Sequence, residues 1–472
     1  MTPSGPKNIF DVIIIGGGVV GCGIMRKLTL QGYKALLLER GGDILSGASK
    51  ANSAILHTGF DAPEASLEHA CMQDGYKEFI SIREKLGLPL IKTAAHVVAW
   101  TREELDKLPG IVAKAHKNKV LDVKQISREE LLLHEPNLSD KALGAVHVPG
   151  EFVIDPWSSP LAYLSQAVAH GAEYRFHSQV TGGFFSNGLW TLQTPSGIYK
   201  AKLVINSAGL YGDIVERICA KPPFTIHPRK GQFVVLDKKA NQLVNSIILP
   251  VPSSITKGVL VCRTIFGNLI VGPTAEEQDD RDRAMVDNEV LNDLLAKGKK
   301  LVPALDRYEI TATYAGLRTA TEHKGYQIFP TPGKNWIGVN GIRSTGLTSS
   351  LGIANYVHTL IEDHFKTNLF AHVTPVAKED IIWPVMPNLY EDAPRDYQQP
   401  GSGEIFCHCE MVTKREVEAV FSSLVVPQDI GGIRRRTRAM MGRCNGFNCM
   451  QRMQQITKGR IANGFHNDKE KE

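Results

Sequence analysis

The chain has 472 residues, with 54 basic and 49 acidic side chains, so its formal net charge at neutral pH is only +5. With 43% apolar and 22% charged residues the composition excludes a disordered chain, and the mild charge gives no reason to expect a nucleic-acid partner. No apolar run reaches the roughly 18–20 residues that span a bilayer and no signal-peptide pattern is present, so we expect a cytoplasmic protein of two or three domains without a direct membrane span.

The first predicted element is a strand–helix–strand unit in residues 10–40. Residues 12–15 (VIII) are β-branched and bounded by glycine, which is typical of a buried strand. A helical pattern then runs to about Leu30 and stops at Gly32, and residues 35–38 predict a second strand. This order indicates the start of a doubly wound nucleotide-binding domain.

The turn between the first strand and the helix carries a phosphate-binding pattern. Gly16, Gly18 and Gly21 give G-x-G-x-x-G, in which the glycines allow a tight turn, close approach of a pyrophosphate and close helix packing. Glu39 follows the second strand and can accept hydrogen bonds from ribose hydroxyls. These residues predict a dinucleotide site, and the pattern by itself is compatible with either FAD or NAD.

Four further stretches carry a family resemblance. Residues 41–76, 203–213, 267–280 and 335–354 include the runs AILHTGF, NSAGLYGD, GNLIVGPT and GIRSTGLTSS. Together with the first unit they resemble the D-amino-acid-oxidase-like flavoprotein superfamily, which includes glycerol-3-phosphate and L-2-hydroxyglutarate dehydrogenases. The resemblance extends over about residues 8–370 and implies FAD as the cofactor.

The resemblance also implies which residues bind FAD. By this likeness, residues 41–76 wrap the cofactor, and the later glycine turns return to it. The predicted FAD-binding residues are Gly16, Gly18, Gly21, Glu39, Arg40, Ser49, Asn52, Ser53, Val180, Ala208, Gly209, Gly346, Leu347 and Thr348.

The FAD-binding segments are interrupted by stretches that mix short strands with helices, including a polar-faced helix predicted over residues 276–303. We predict an α/β fold: a doubly wound, Rossmann-type FAD-binding domain with an inserted α+β substrate domain, whose antiparallel sheet covers the flavin, and a small helical C-terminal iron–sulfur domain. The FAD-binding domain is predicted from residues 8–85, 151–220 and 331–370, and the substrate-binding domain from residues 86–150 and 221–330.

Three residues are candidates for the chemistry. His57 stands in a histidine–threonine–glycine run that, by the resemblance, lies beside the flavin, and its pKa suits a proton acceptor near neutral pH. Arg318, in a G-x-R pattern that resembles the family's substrate arginine, is a candidate anion clamp, and Arg343 is a second candidate. Two arginines would suit a phosphate or another dianion, whereas Arg229 and Lys230 are expected to be solvated.

A linker rich in proline and glycine, residues 371–403, precedes a last domain over residues 404–465. This domain contains four of the eight cysteines: Cys407, Cys409, Cys444 and Cys449. Four thiolates can hold a tetrahedral zinc ion or a [2Fe–2S] cluster, and free thiols are a third interpretation. The Cys-x-Cys spacing is tighter than the two to four residues typical of zinc sites.

The whole cysteine arrangement resembles the bacterioferritin-associated ferredoxin domain and the C-terminal part of the iron–sulfur flavoprotein subunit of anaerobic glycerol-3-phosphate dehydrogenase, which implies a [2Fe–2S] cluster. Two helices are predicted between the cysteine pairs, over residues 411–424, with Thr413 as N-cap, and 428–443. The arginines of the second helix are expected to offset cluster charge or to dock an acidic electron-transfer partner.

These observations predict an FAD-dependent dehydrogenase for a small anionic alcohol, glycerol 3-phosphate or a similar substrate. Hydride transfer to flavin would be followed by electron passage through the cluster to an electron acceptor or a quinone-linked partner subunit, which would place the protein in the cytoplasm or, through that partner, at the inner membrane. One alternative is an L-2-hydroxyglutarate-type hydroxy-acid or an amino-acid or amine dehydrogenase. The other is a non-catalytic electron-transfer flavoprotein.

Overall fold

The computed structural model describes residues 9–252 and 258–462. Residue 8 at the predicted start of the FAD-binding domain, residues 253–257 of the predicted substrate domain and residues 463–465 at the predicted end of the last domain lie outside the described residues. No helix in the described part of the chain combines the length and the apolar character needed to cross a membrane.

Twenty-two strands and twelve α-helices are present in the described residues. The strands are β1 Ile9–Ile15, β2 Ala35–Leu38, β3 Ile55–Leu56, β4 Leu90–Ile91, β5 Ala95–Ala99, β6 Lys124–Ser127, β7 Gly144–Val148, β8 Phe152–Ile154, β9 Glu173–Arg175, β10 Gly182–Ser186, β11 Leu189–Thr194, β12 Gly197–Asn206, β13 Ile226–Leu236, β14 Ile247–Pro250, β15 Leu260–Arg263, β16 Leu269–Gly272, β17 Glu276–Glu277, β18 Ile310–Thr321, β19 Gln327–Thr331, β20 Trp336–Asn340, β21 Ile405–Cys407 and β22 Val412–Thr413. The helices are α1 Val19–Leu30, α2 Leu67–Ile82, α3 Arg102–Lys117, α4 Arg128–His134, α5 Ser158–Ala169, α6 Gly212–Glu216, α7 Asn288–Leu301, α8 Gly346–His364, α9 Lys366–Leu369, α10 Lys414–Ala419, α11 Ile430–Thr437 and α12 Met450–Thr457.

The first sheet has eight strands and contains the predicted nucleotide-binding unit. Its parallel part runs β9–β2–β1–β12–β20, and β10, β11 and β19 extend it antiparallel. Strand β1 is buried over its second half because its side chains are apolar and both faces of the sheet are covered: Val12 and Ile14 pack in the cluster with α1, α5 and α8, and Ile13 and Ile15 pack in a second cluster. The predicted strand at residues 12–15, the helix to Leu30 and the strand at residues 35–38 are therefore confirmed.

The second sheet has nine strands and is mainly antiparallel. Its order is β17–β13–β16–β15–β14–β5–β7–β6, with β18 on the other side of β13. One face packs against α7, and the sheet is built from two separate parts of the chain, between which the chain returns to the first sheet. Strand β19 begins at Gln327 and belongs to the first sheet, so the second domain ends before the predicted boundary at residue 330.

The predicted helix over residues 276–303 is shorter than expected. Helix α7 begins at residue 288 because the Asp287 side chain accepts hydrogen bonds from the N–H groups of Glu289 and Val290. Before this cap, Glu276 and Glu277 form strand β17 beside β13. The polar composition of the stretch did not distinguish a strand edge from a helix face.

The C-terminal domain has its own core. Strands β21 and β22 form a hairpin, and α10, α11 and α12 pack around it with buried apolar side chains. Thr413 caps α10 as predicted, and Glu416 completes a capping box. Helix α11 ends at Thr437 and is capped by Arg438, whose φ of 69° turns the chain toward Cys444 and Cys449.

The carboxylate of Asp43 joins this domain to the FAD-binding domain. Asp43 is 0% exposed and follows β2 by five residues. Arg436 donates to both carboxylate oxygens, at 2.6 and 2.7 Å, and Arg435 donates to one of them at 2.9 Å. Burial raises the pKa of Asp43, but the two guanidiniums outweigh it and hold that pKa below its ordinary value. The arginines expected to meet a cluster or a partner thus serve an internal contact.

A second contact to the C-terminal domain is aromatic. The Trp157 indole donates to the Lys50 carbonyl at 3.1 Å and stacks on Phe266, with ring centroids 5.0 Å apart. The Arg438 guanidinium lies 4.3 Å from the centre of the Phe266 ring and donates to Glu410 at 3.1 Å. A continuous set of contacts therefore links the loop at residue 50 to the segment beside Cys409.

The predicted linker, residues 371–403, follows the surface of the two larger domains. Its backbone N–H groups donate to the carbonyls of Leu30, Leu86 and Ile265, each about 3 Å away. Two short 3₁₀ turns interrupt an otherwise extended path. These hydrogen bonds fix the course of the chain toward the C-terminal domain.

We predict that Asp43→Asn weakens the attachment of the C-terminal domain, because it leaves two buried guanidiniums without their charge partner. Removing one partner of a buried ion pair costs about 3–5 kcal/mol, and amide hydrogen exchange in α11 measures the change. The control is Asp282→Asn, which breaks the ion pair between Asp282 and Arg40. The Asp282 side chain is 57% exposed, so the loss of this pair should cost less than about 1 kcal/mol. Equal protection of α11 in both variants would show that Asp43 does not hold the domain.

Candidate active site

A cavity of about 1040 Å³ lies between the two sheets. This volume is at the upper end of the usual range for ligand sites, about 300–1,000 Å³. The carboxyl end of β1 and the start of α1 line one part of it, and β13 and β18 of the second sheet line another. The site is therefore built where ligands bind in doubly wound sheets, beyond the ends of the parallel strands.

The turn from β1 to α1 has the shape that a phosphate-binding turn requires. Gly16 has a φ of 106°, and a Cβ there would lie 2.5 Å from the Ser207 carbonyl oxygen. A Cβ on Gly21 would lie 2.0 Å from the Gly16 carbonyl oxygen. Helix α1 can therefore pack this closely against the turn only because residue 21 is glycine. Gly18 caps α1 and lines the cavity, which leaves the helix N-terminus facing the space where phosphates would bind.

Glu39 lies at the end of β2 on the cavity wall. Its two carboxylate oxygens accept the N–H groups of Gly17 and Gly41, both at 2.7 Å, and burial raises its pKa. The neighbouring Arg40 lies 4.1 Å from the centre of the Tyr211 ring. The Glu39 carboxylate is therefore an acceptor for ribose hydroxyls beside the glycine turn. The Arg40 guanidinium is a flat cationic surface beside the same turn, where the base would lie.

Most of the predicted FAD-binding residues line this one cavity. Those that do are Gly16, Gly18, Glu39, Arg40, Ser49, Asn52, Ser53, Val180, Ala208, Gly209, Gly346 and Leu347. Gly21 and Thr348 are outside the lining: the first supports helix packing, and the hydroxyl of the second accepts the His57 N–H at 3.0 Å. The residues present fit FAD, and the start of α1 would hold its pyrophosphate.

His57 lines the same cavity and is held by a buried carboxylate. Its Nδ1 lies 2.7 Å from Glu151, which is 0% exposed. The other oxygen of Glu151 accepts the N–H and the hydroxyl of Thr58, at 2.6 and 2.8 Å. The carboxylate thus orients the imidazole and can stabilise its protonated form, which is the arrangement of a general base with its orienting acid.

Glu151 was missed by the sequence analysis. It stands in a turn between β7 and β8, in the run HVPGEFVID, where no recognisable motif surrounds it. Ninety-four residues separate it from His57. An acidic residue between two apolar strands was the only available signal, and such a residue is ordinarily a solvated turn residue.

The two arginines predicted to bind an anion, Arg318 and Arg343, both line the cavity. Arg318, on β18, lines the cavity, and both its terminal nitrogens lie 3.3 Å from the Thr274 carbonyl oxygen. Arg343 also lines the cavity but donates to the carbonyls of Thr321 and His323. Arg229, expected to be solvated, has a side chain that is 37% exposed and also lines the cavity on β13.

The four C-terminal cysteines lie together as two pairs. Cys407 lies beside Cys449 and both are buried, and Cys409 lies beside Cys444 and both are half-buried. Backbone N–H groups, first that of Asn448, lower the pKa of the Cys444 thiol, whereas burial raises the pKa of Cys409 and of Cys449. The structure thus has one inner and one outer pair of thiols.

No three or more histidine, cysteine, aspartate or glutamate side chains in residues 9–252 and 258–462 are placed so that they could hold a metal ion. The thiols are arranged two by two. A Cβ on Gly442 would lie 2.3 Å from the Cys409 Cβ, so the chain passes close to the outer pair only because this residue is glycine. In a [2Fe–2S] cluster each iron takes two protein ligands, so a cluster at this place would need the thiols of both pairs.

Comparisons with known proteins agree with this geometry. The sequence model of a family described as FAD dependent oxidoreductase matches residues 11–360. A glycerol 3-phosphate dehydrogenase of Caloramator mitchellensis is 31% identical over 452 residues, 95% of this chain and 94% of that protein. A glycerol 3-phosphate oxidase of Mycoplasma genitalium is 29% identical over 371 residues, 76% of this chain and 96% of that protein. The solved structure of the dithionite-reduced L-α-glycerophosphate oxidase of Mycoplasma pneumoniae with FAD bound has a TM-score of 0.73 at 24% identity, over 81% of this chain and 100% of that chain.

We predict that Gly16→Ala abolishes cofactor binding, because the added Cβ would lie only 2.5 Å from the Ser207 carbonyl oxygen. The flavin absorbance per mole of purified protein measures the loss. Gly47→Ala is the matched control, since Gly47 lines the same cavity and a Cβ there meets nothing within 4 Å. Full flavin content in Gly16→Ala would contradict the assignment of the turn.

Proposed function

Because the chain belongs to the family of FAD dependent oxidoreductases, we propose that it is a dehydrogenase that oxidises glycerol 3-phosphate or a similar small anionic alcohol. The observation that carries the proposal is that a histidine held by a buried carboxylate and a cavity-lining arginine face the same space as the dinucleotide turn. The names of the relatives, a glycerol 3-phosphate dehydrogenase and an oxidase, support this substrate.

We assign a separate role in the reaction to each of these cavity residues. FAD, when bound, supplies the acceptor of the hydride that leaves the substrate carbon. His57 accepts the proton of the substrate hydroxyl, and the negative charge of Glu151 stabilises the imidazolium that results. Arg318 binds the anionic end of the substrate, so that the carbon to be oxidised is held at a fixed distance from the flavin. Arg343 is bound to two carbonyls and shapes the wall beside it.

We further propose that Cys407, Cys409, Cys444 and Cys449 hold a [2Fe–2S] cluster. The arrangement of the thiols as an inner and an outer pair supports this, as do the N–H groups that favour a thiolate at Cys444. Such a cluster would carry electrons singly to an acceptor or to a quinone-linked partner subunit, with the protein in the cytoplasm or held at the inner membrane by that partner.

A comparison of the relatives favours a dehydrogenase over an oxidase. The relative named a dehydrogenase aligns with almost the whole of this chain, whereas the relative named an oxidase leaves about a quarter of it unmatched. The family match ends at residue 360, so the cysteine domain lies beyond the part shared by the family. An enzyme that gives its electrons to oxygen does not require such an addition.

The proposal is tested by anaerobic mixing of the purified flavoprotein with one substrate at a time. We expect glycerol 3-phosphate to bleach the flavin, and L-2-hydroxyglutarate, glycine and L-proline to leave it oxidised. Bleaching by one of the other compounds instead would assign the chain to the hydroxy-acid or amino-acid branch. An oxidised flavin with every compound would favour an electron-transfer protein without a small substrate.

We predict that Glu151→Gln lowers the rate of flavin reduction by about 10²–10⁴, the range associated with loss of general-base catalysis, with little change in the substrate KM. The side chain keeps its size but loses the charge that stabilises protonated His57. Stopped-flow absorbance measures the rate. Glu135→Gln is the control, because Glu135 is an equally buried carboxylate, bonded to the Ser246 N–H at 2.6 Å, outside the cavity lining. A similar loss in both variants would indicate a structural role.

We predict that Cys444→Ser removes the iron and the low-temperature EPR signal of the reduced protein, because one thiolate of the outer pair is lost. Flavin content and its bleaching by substrate should remain, since none of the cavity residues is changed. Cys219→Ser, a half-buried thiol of the FAD-binding domain, is the control and should retain iron. Zinc in place of iron in the unaltered protein would overturn the cluster assignment.

A further inference from the structure

A carboxylate faces the cavity from the start of helix α2. Glu68 is the second residue of this helix and lines the cavity, as does Met72 one turn later, so one face of α2 meets the ligand space. The Oε1 atom of Glu68 accepts the hydroxyl of Thr345 at 2.8 Å. Within residues 9–252 and 258–462, the Oε2 atom has no hydrogen-bond partner and no cation pairs with the carboxylate. Glu68 therefore has an acceptor that a ligand can use.

Hydrogen bonds on the far side of Thr345 fix the position of this carboxylate. The Tyr326 hydroxyl lies 2.6 Å from that of Thr345 and 3.0 Å from that of Ser349. Thr345 gives its only hydroxyl proton to Glu68, so Tyr326 is the donor toward Thr345. Ser349 donates to the Thr345 carbonyl at 2.9 Å. The chain of donors thus ends on Oε1 of Glu68, and Oε2 stays available.

The first turn of α8 also holds the proposed base. Thr348, three residues after Thr345, accepts the backbone N–H of His57 at 3.0 Å. Residues three apart in a helical turn are neighbours on its surface, with about 5–6 Å between their Cβ atoms. Both His57 and Glu68 line the cavity. The proton acceptor and the carboxylate are therefore held by neighbouring hydroxyl groups at the start of α8.

Glu68 differs in its bonding from Glu39, another acid on the cavity wall. Both oxygens of Glu39 accept backbone N–H groups, whereas one oxygen of Glu68 is left for a ligand. An ionised carboxylate only accepts hydrogen bonds. It therefore binds a ligand hydroxyl and repels a ligand carboxylate, since like charges set against each other disfavour a partner. Glu68 can thus select between ligands that differ in a single group.

We propose that Glu68 recognises the terminal hydroxyl of the substrate, and that it makes the cavity select a vicinal diol over a 2-hydroxy acid. The inference rests on the proposed function, because it concerns the substrate of the same site. In glycerol 3-phosphate the carbon to be oxidised bears one hydroxyl, and the next carbon bears a second. With the first hydroxyl at His57, the second can donate to Glu68. A 2-hydroxy acid has a carboxylate at that place.

Three phosphate monoesters test this, because they differ only in the group beside the secondary alcohol. This group is hydroxymethyl in glycerol 3-phosphate, methyl in 2-hydroxypropyl phosphate and carboxylate in 3-phosphoglycerate. Calorimetry on the FAD-loaded protein, with its flavin reduced beforehand so that no ligand is oxidised, gives each Kd. The unaltered protein should bind the hydroxymethyl ligand about 10–100-fold more tightly than the methyl ligand, the effect of one hydrogen bond to a charged group. It should bind 3-phosphoglycerate most weakly.

Two variants of Glu68 and one control complete the test. Glu68→Ala should remove the difference in Kd between the hydroxymethyl and methyl ligands. In Glu68→Gln the amide oxygen can keep the Thr345 bond and the amide nitrogen offers a donor, so the Kd for 3-phosphoglycerate should fall by about 10-fold or more. Glu64→Gln is the control and should behave as the unaltered protein. The Glu64 side chain is 51% exposed, lies 3.6 Å from Lys117 and is outside the cavity lining.

The outcomes separate this inference from the proposed function. If glycerol 3-phosphate bleaches the oxidised flavin and Glu68→Ala keeps the ratio of the two Kd values, the inference fails and the function stands. An equal loss of affinity for all three ligands in Glu68→Ala would also overturn it, since Glu68 would then only support the start of α2. If the ratio depends on Glu68 but glycerol 3-phosphate is not oxidised, the subsite stands and the proposed substrate fails. An unaltered protein that binds 3-phosphoglycerate as tightly as glycerol 3-phosphate, or binds none of the three, overturns the subsite.

Discussion

The buried carboxylate of Asp43 is the contact on which the arrangement of the domains depends. An unpaired charge in the protein interior costs several kcal/mol, so this loop and helix α11 must remain together for either to be stable. Asp43 follows Glu39 by four residues. Its partners Arg435 and Arg436 precede Cys444 and Cys449 in the chain. The end of the chain is thereby attached to the loop that follows the dinucleotide-binding strand.

The cavity depends on a second constraint, the contact between two sheets that are built from different parts of the chain. The parallel sheet supplies the glycine turn and Glu39, and the antiparallel sheet supplies the cationic wall of Arg318. The imidazole of His57 lies between them, and the buried Glu151 fixes its orientation. The glycine turn, the imidazole with its carboxylate and the cationic wall therefore come from separate parts of the chain.

The sequence predicts the cofactor turn well because its requirements are local. Gly16 and Gly21 meet each other within one turn, and only glycine satisfies that distance. Glu151 could not be found in this way, because its role comes from the approach of two distant segments. The position of Arg229 depended on which face of β13 meets the cavity, and a shift of one residue would have exposed Lys230 instead. Local patterns in the sequence therefore predict the cofactor site. The residues of the proposed substrate wall depend on strand register, which the sequence does not reveal.

We propose that one chain joins substrate oxidation at a flavin to electron transfer at a cysteine-bound cluster. It is tested most directly by anaerobic titration of the unaltered protein with glycerol 3-phosphate, followed by optical absorption and by low-temperature EPR on the same samples. We expect bleaching of the flavin together with the appearance of the signal of a reduced [2Fe–2S] cluster. Bleaching of the flavin with no iron signal, even after addition of dithionite, would contradict it.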